Sequence, residues 1–441
     1  MINFFIKTYG CQANVADSMH LAEYLKNLGC HLSVSEKDAD LVIVNSCAIR
    51  QKAEQKLFSY LGSLEKFGEK KTHFSVAVIG CVATYRHKEL KHKFPHIKLT
   101  FGAKGDREVL KSKLDELVKE IMTVRMTFRR VFKEDLLKAN GVQEKSEFKK
   151  SMINIMRGCN NYCSYCIVPF TTGPERSFSM KEILEQVKHE VESGAKEINL
   201  LGQNVDSYKC PEIGSTFAEL LKNVAKIEGE FWVRFVSPHP KDMTTEVLDV
   251  IAQNRDKLCA YVHLPLQSGS NKILKLMNRS YTRERFLDLV KEIKDRLPDA
   301  TITTDIIVGF PGETEEDFLE TIDLVKKVKF HTIFSFIYSP RKYTKAADMK
   351  DDCLAADKKK RLKILQDLHK KNGVEWNKNL IGKTFKVLLE EISGGFFWGR
   401  TEGNIRVKVK GENLKVNDFV NVKTEDAQLS DLSGIVKNSK Q

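Results

Sequence analysis

At 441 residues the chain is too long for one ordinary domain, and its apolar and charged fractions, 41% and 30%, are those of a soluble globular protein of two or three domains. No apolar run reaches the roughly 20 residues needed to span a bilayer; the first residues, Met1 to Lys7, lack the apolar region and cleavage site of a secretory leader. Membrane and secreted classes are therefore set aside in favour of a cytoplasmic protein, and a net charge of +13 suggests a polyanionic partner.

Residues 1–120 alternate strand and helix patterns. Strands are expected at 4–8, 41–45 and 74–80, and helices at 18–28 and 52–67, the alternation of a parallel sheet covered by helices. Cys11, Cys47 and Cys81 each follow one of these strands by one to three residues. In a parallel sheet the strand C-termini share one edge, so thiols about 35 residues apart converge there as a candidate metal site. Buried free cysteine is the bland alternative for any one of them. Cys30, Cys210, Cys259 and Cys353 show no such pattern and read as packing thiols.

Residues 121–150 are basic and weakly periodic, with 8 Lys and Arg against 4 Asp and Glu, and fit a connection or irregular arm. From 151 to 372 the βα alternation resumes, with strands at 152–156, 197–201, 231–237, 260–265, 301–308 and 332–337. Helices at 181–193, 283–296 and 315–328 fall between them, and about six such units suggest a parallel, partial TIM barrel. A lysine-rich helix, 355–371, closes this region; residues 341–372 carry 11 Lys and Arg against 5 Asp and Glu. From Trp376 to the end, short strands at 384–391, 396–401, 405–410 and 419–424 suggest a small antiparallel β-barrel of the OB-like kind. Phe397, Trp398, Arg400, Arg406 and Lys408 are its candidate stacking and phosphate contacts, with core packing as the alternative. The cations Lys358, Lys359, Lys360 and Arg361 are further candidates for phosphate.

The most specific motif is Arg157-Gly158-Cys159-Asn160-Asn161-Tyr162-Cys163-Ser164-Tyr165-Cys166. Its C-x3-C-x2-C spacing brings three thiolates onto one loop. Three suffice for three irons of a 4Fe–4S cube and leave the fourth open to a small molecule. Structural zinc wants four ligands, and no fourth Cys or His lies close by. A barrel that begins with such a loop would hold its ligand at the strand C-termini. The candidates there are Gly202 and Gln203, Ser237, Gln267 and Gly309.

The cysteine run, with Tyr165 at its aromatic position, resembles the radical S-adenosylmethionine (SAM) enzymes. The resemblance implies that the open iron chelates SAM and that an electron from the cluster cleaves it to a 5′-deoxyadenosyl radical. The whole order is similar to the radical-SAM methylthiotransferase family: Tyr9-Gly10-Cys11-Gln12-Ala13-Asn14, Asn45-Ser46-Cys47-Ala48-Ile49-Arg50 and Gly80-Cys81-Val82-Ala83 resemble its first three blocks. This implies a second 4Fe–4S cluster on Cys11, Cys47 and Cys81 that serves sulfur transfer, and a C-terminal TRAM domain that grips RNA. The expected organisation is a methylthiotransferase domain at 1–120, a connection at 121–150, a radical-SAM core at 151–372 and a TRAM domain at 376–441.

Tyr9 to Gln12, Cys47 to Arg50 and Leu200-Leu201-Gly202-Gln203-Asn204-Val205 are most similar to the branch acting on isopentenyladenosine in tRNA. That implies methylthiolation at carbon 2 of this base next to the anticodon. Implied partners are a tRNA anticodon stem-loop and a reduced flavodoxin- or ferredoxin-type electron donor, with the protein a monomer. The sequence departs from the family's pattern at Thr172 and Phe178, where arginine is frequent, and at Tyr343, where glycine is usual. Alternatives are the same chemistry on threonylcarbamoyladenosine or on a ribosomal-protein aspartate, and a non-catalytic iron–sulfur RNA-binding protein.

Overall fold

The computed structural model describes residues 2–48, 51–71, 74–132 and 148–437. It divides into two compact units. The first holds residues up to 132 together with Arg157–Asn160 and Cys166–Glu175; the second holds residues 148–156, Asn161–Tyr165 and everything described from Arg176.

In the first unit, β1 (Asn3–Tyr9), α1 (Gln12–Asn27), β2 (His31–Leu32), β3 (Leu41–Ser46), α2 (Gln51–Lys70), β4 (Ser75–Gly80), α3 (Cys81–Lys93), β5 (Ile97–Gly102) and α4 (Arg107–Phe132) follow in order. The strands form one parallel sheet in the order β2-β1-β3-β4-β5. β3 and β4 are central, which is why their apolar runs are continuous rather than alternating: helices cover both faces and Leu41 to Val44 are wholly buried. The expected irregular arm is corrected at its start. Ile121 to Phe132 are the last turns of α4, because Leu110, Leu114, Leu117, Val118 and Ile121 extend one buried stripe into that segment. Residues 133–147 of the expected connection lie outside the described residues.

In the second unit six strands run parallel: β6 (Lys150–Asn154), β7 (Glu197–Leu201), β8 (Trp232–Phe235), β9 (Tyr261–His263), β10 (Thr301–Val308) and β11 (Thr332–Ile337). They form two three-stranded sheets, β6-β7-β8 and β9-β10-β11, linked by a parallel bridge between Val233 and Leu258. Among the described residues no pairing joins β6 to β11, so the barrel is open. Covering helices include Met180–Glu192, Arg283–Arg296 and Glu315–Val328. Thr314 and Asp317 cap the last of these reciprocally, with Asp317 N–H donating to Thr314 Oγ1 at 3.3 Å and Thr314 N–H to Asp317 Oδ2 at 2.9 Å.

Alternation sorts the strand residues. Ile153, Ile198, Leu200, Val233, Phe235, Ile302 and Ile306 face the helices and form the main core. The register puts Lys150, Glu197 and Trp232 in one row on the opposite face, and Met152, Asn199 and Arg234 in the next. Tyr261, His263, Thr303 and Asp305 continue that face across β9 and β10. The interior of an ordinary TIM barrel is filled by branched apolar layers. Here it is polar.

The long helix Ala355–Lys378 carries Trp376, which was expected to open the tail; its ring meets His331 edge-on at 4.6 Å. Beyond it β12 (Thr384–Ser393), β13 (Phe396–Thr401), β14 (Arg406–Lys410), β15 (Phe419–Ala427) and β16 (Asp431–Val436) close a barrel in the order β12-β13-β14-β16-β15. The expectation of an all-antiparallel barrel is corrected at one pair: β14 and β16 are parallel. Closure needs that pair, since β16 returns to the free edge of β14 after pairing with β15.

Candidate functional site

Cys11 follows β1 and caps α1; Cys47 follows β3; Cys81 is the first residue of α3 after β4. All three lie on the edge where these strands end. Cys47 N–H donates to Tyr9 O at 2.9 Å, tying two of the loops together. Gly80, at φ +93°, turns β4 into α3 in a space where a Cβ would meet Asn45 Oδ1 and Ser46 O, so only glycine fits. Asn14 Oδ1 accepts from the Cys11 thiol at 3.2 Å, while its amide donates to Asn45 Oδ1 at 2.8 Å.

The thiols sense one another. The hydrogen bond with Cys47, helped by N–H groups at the start of α1, outweighs burial and lowers the Cys11 thiol to about 6. Burial, with the charge of Cys11 nearby, pushes the Cys81 thiol up. Thr172 Oγ1 lies 4.0 Å from Cys81 Sγ, so a residue that departs from the family's pattern stands at this triad. All ten cysteines are described and none is in a disulfide. Among the described residues no three His, Cys, Asp or Glu side chains are drawn into metal-holding geometry as they stand. The donor set nonetheless fits an iron–sulfur cluster: thiols only, around a helix N-terminus that favours the thiolate.

The second cysteine run divides between the units. In the first, Cys159 N–H donates to Gly173 O at 3.3 Å, and Gly158, at φ +81°, lies so close to Pro174 O that a Cβ would collide. Arg157 forms an ion pair with Asp17, and Cys166 is half-buried. In the second unit, Ser164 N–H donates to Met277 O at 3.0 Å and its hydroxyl to Leu276 O at 2.8 Å. Tyr165 packs against a cluster containing Ile273, Met277, Phe310 and Tyr338. Cys163 is buried and accepts a hydrogen bond from Arg279 Nη1 at 3.2 Å.

The remaining candidates stand at strand ends of the second unit. Gly202 follows β7 where a Cβ would strike Met156, and Gln203 is half-buried beside it. Ser237 and Gln267 hold positive φ, +67° and +70°. Such backbone costs about 1–3 kcal/mol and concentrates at ligand sites. Gln267 is also built into β10, donating N–H to Asp305 O at 2.8 Å and accepting from Ile307 N–H at 2.9 Å. At Gly309, which has φ +68°, a Cβ would collide with the stem of Lys358. Its N–H donates to Glu313 Oε2 at 2.6 Å.

Sequence reasoning missed Asp206, His239 and Asp242, which cluster with Asn204 beside these loops. Asn204 donates Nδ2–H to Asp242 Oδ2 at 2.7 Å, leaving its own Oδ1 buried and without a partner. The carboxyl oxygens of Asp206 are likewise shielded from solvent; burial and the neighbouring Asp242 push its pKa well above the ordinary value, opposed by the backbone N–H of His239. His239 accepts at Nδ1 from Lys241 N–H at 3.1 Å, and burial with Arg279 and Lys241 nearby lowers its pKa to about 2. It is therefore neutral with the proton on Nε2, a buried donor without a partner. Donors and acceptors left open in this way suit a polar, uncharged ligand edge. The Ser237-Pro238-His239-Pro240 segment was the available signal, since two prolines preset a rigid loop.

Two of the four candidate phosphate cations are corrected. Lys358 is buried and pairs with Asp351 at 2.6 Å; Arg361 is buried and pairs with Glu313 at 2.8 Å. Helical periodicity turns both inward, whereas Lys359 and Lys360 are exposed. On the closed barrel Phe397 packs into the core, and Arg400 is bound by Glu390 at 2.6 Å. Trp398 and Lys408 are opposite one another on the outer face, where the Arg406 guanidinium covers the Trp398 ring at 4.1 Å and Lys408 the Phe396 ring at 3.6 Å.

The family model described as the Radical SAM superfamily matches residues 153–325, and that described as Uncharacterized protein family UPF0004 matches residues 3–102. The chain is 40% identical over 441 residues to the tRNA-2-methylthio-N(6)-dimethylallyladenosine synthase of Carboxydothermus hydrogenoformans, covering 98% of this chain and 99% of that protein. It is 41% identical over 437 residues to the protein of the same name from Fusobacterium nucleatum, covering 97% and 98%. The radical S-adenosylmethionine methyltransferase TsrM from Kitasatospora setae has a similar fold, with a TM-score of 0.54 at 14% identity, over 89% of this chain and 79% of that one.

Proposed function

Because the chain belongs to the tRNA-2-methylthio-N(6)-dimethylallyladenosine synthase family of radical SAM enzymes, we propose that it inserts a methylthio group at carbon 2 of N6-isopentenyladenosine next to the tRNA anticodon. The observation that carries this reading is the group of Cys11, Cys47 and Cys81 at adjacent strand ends. A radical-generating barrel alone abstracts hydrogen; a second cluster held by these thiols would serve the transfer of sulfur.

In this reading Cys159, Cys163 and Cys166 would hold the 4Fe–4S cluster that binds SAM, and the first triad would hold a second cluster. Together with SAM the former supplies a carbon radical able to take hydrogen from an unactivated aromatic carbon. The loops of Gly202, Gln203, Ser237, Gln267 and Gly309 frame the SAM site at the barrel mouth. The polar interior accepts the nucleoside, which must leave the anticodon stack to enter. Phe334 and Phe336 stand on the same face of β11, paired with Asp305 and Ile307, and expose 44% and 41% of their surface. They would meet the apolar N6 substituent, while His239 and Asp206 hydrogen-bond to polar edges. Trp398, Arg406 and Lys408 supply stacking and phosphate contacts on a TRAM-type barrel.

No helix among the described residues is long and apolar enough to cross a membrane. A cytoplasmic monomer served by a flavodoxin- or ferredoxin-type donor completes the reading. Mass spectrometry of tRNA nucleosides tests it. A strain lacking the gene should lose 2-methylthio-N6-isopentenyladenosine and accumulate the unmethylthiolated base, with restoration by the wild type and none by Cys47→Ala or Cys163→Ala. An unchanged nucleoside profile in the deletion strain sinks the proposal.

A further inference from the structure

Arg279 lies between the helices Asn271–Leu276 and Arg283–Arg296. Its guanidinium is held on three sides. Nη1 donates to Cys163 Sγ at 3.2 Å, Nη2 to Pro265 O at 3.0 Å, and Nε to the Tyr281 hydroxyl oxygen at 3.0 Å. Tyr281 is fixed in turn, its one proton shared between the carbonyls of Leu266 at 2.8 Å and Pro265 at 3.0 Å. The Arg279 guanidinium also lies over the Tyr281 ring, 5.1 Å from its centroid.

The segment that carries Arg279 is bolted to the cysteine loop. Asn278 donates Nδ2–H to Tyr162 O at 3.0 Å, and the two bonds of Ser164 reach the end of the preceding helix. Arg279 therefore keeps its place relative to Cys163. Among the described residues no carboxylate pairs with this guanidinium; the thiol is the acidic group its fork addresses. A buried cation without an anion is expensive, so the arrangement suits an occupant at Cys163 that carries negative charge.

We propose that Arg279 is a positioning residue for the cluster held by Cys163: it orients the thiolate and raises the cluster's reduction potential. Reduction adds negative charge, and a fixed cation donating to a ligand sulfur stabilises the reduced form more than the oxidised one. The inference rests on the assignment of Cys159, Cys163 and Cys166 as cluster ligands.

The test uses the full chain with Cys11, Cys47 and Cys81 replaced by alanine, so that one cluster remains. After anaerobic reconstitution, iron content and the electron paramagnetic resonance signal are followed against poised potential for this background and for Arg279→Gln and Arg279→Lys added to it. With iron loading retained, Arg279→Gln should lower the reduced-to-oxidised ratio at fixed potential at least tenfold, which for a one-electron couple is about 59 mV. Arg279→Lys keeps the charge but loses the planar fork and should fall between. An unchanged midpoint in both variants overturns the inference. Adding Cys163→Ala separates the underlying assignment: a cluster that persists in that variant refutes the ligand set, whatever Arg279 does.

Discussion

Asn14 and Asn45 bond to each other in both directions: Asn14 donates Nδ2–H to Asn45 Oδ1 at 2.8 Å, and Asn45 donates Nδ2–H back to Asn14 O at 2.9 Å. Both are buried, and the pair joins the helix that begins at Cys11 to the strand that ends before Cys47. Asn45→Leu leaves the Asn14 amide buried without its acceptor. It should cost about 1–3 kcal/mol in urea unfolding of the metal-free protein. Reconstituted iron should fall toward the content of the Cys11→Ala variant, because two thiol-bearing segments lose their tie.

The inward turn of Arg361 separates stability from RNA binding. Arg361→Ala strands the Glu313 carboxylate and should destabilise the protein by about 3–5 kcal/mol. The double change Lys359→Ala and Lys360→Ala should leave the unfolding midpoint unchanged and weaken tRNA binding. In filter-binding titrations the slope of log affinity against log salt should shrink by roughly 1.5–2. Equal tRNA affinity of that double variant and the wild type would remove the helix from the RNA surface.

Exposed aromatics in a polar interior should matter for substrate rather than for folding. Phe334→Ala and Phe336→Ala should unfold near the wild-type midpoint. Each should lower kcat/KM on an isopentenylated stem-loop roughly ten- to hundredfold, as expected when one aromatic ring no longer packs against the bound base. Discrimination against a stem-loop bearing plain adenosine should fall in parallel, and preserved discrimination would assign the two rings elsewhere.

Trp398→Ala removes the ring beneath Arg406 on the outer barrel face. Base stacking on such a ring is worth about 1–3 kcal/mol, so tRNA should bind roughly ten- to hundredfold more weakly while reductive SAM cleavage without tRNA continues. Loss of SAM cleavage in this variant would contradict the separation of roles.

Acid should loosen the second unit through His331. Its Nδ1 accepts from the Thr332 hydroxyl at 3.0 Å, and its Nε2–H donates to Asn377 Oδ1 at 3.1 Å, whose amide is spent on Gln428 O at 2.7 Å. Burial lowers its pKa to about 4, against about 6.5 unfolded. The unfolded chain therefore binds the proton more readily, so the contribution is complete above pH 6.5 and is lost as pH falls toward 4. At most about 3 kcal/mol is at stake. The difference in unfolding free energy between wild type and His331→Gln should shrink across that window, and a constant difference would refute the assignment.

Much of the fold was legible. The strands 197–201, 301–308 and 332–337 and the helices 283–296 and 315–328 stand where the apolar spacing put them, because a helix-covered parallel sheet demands continuous or regularly spaced burial. The two-residue strand His31–Leu32 and the last barrel strand Asp431–Val436 were missed, since each is defined by its pairing partner rather than by its own composition. Charge counting misread Lys358 and Arg361 for the same reason: Asp351 lies close in sequence but Glu313 is 48 residues away.

The sequence by itself determined the chemistry available: three thiols on one short loop, and three more placed by the ends of β1, β3 and β4. Local spacing is enough for that, since a strand's length and its following turn decide where the next side chain stands. Only the tertiary structure decided which neighbours act on those thiols. Arg279 reaches Cys163 across 116 residues and Asn45 reaches Asn14 across 31, and such meetings depend on how the elements pack, which no local pattern encodes.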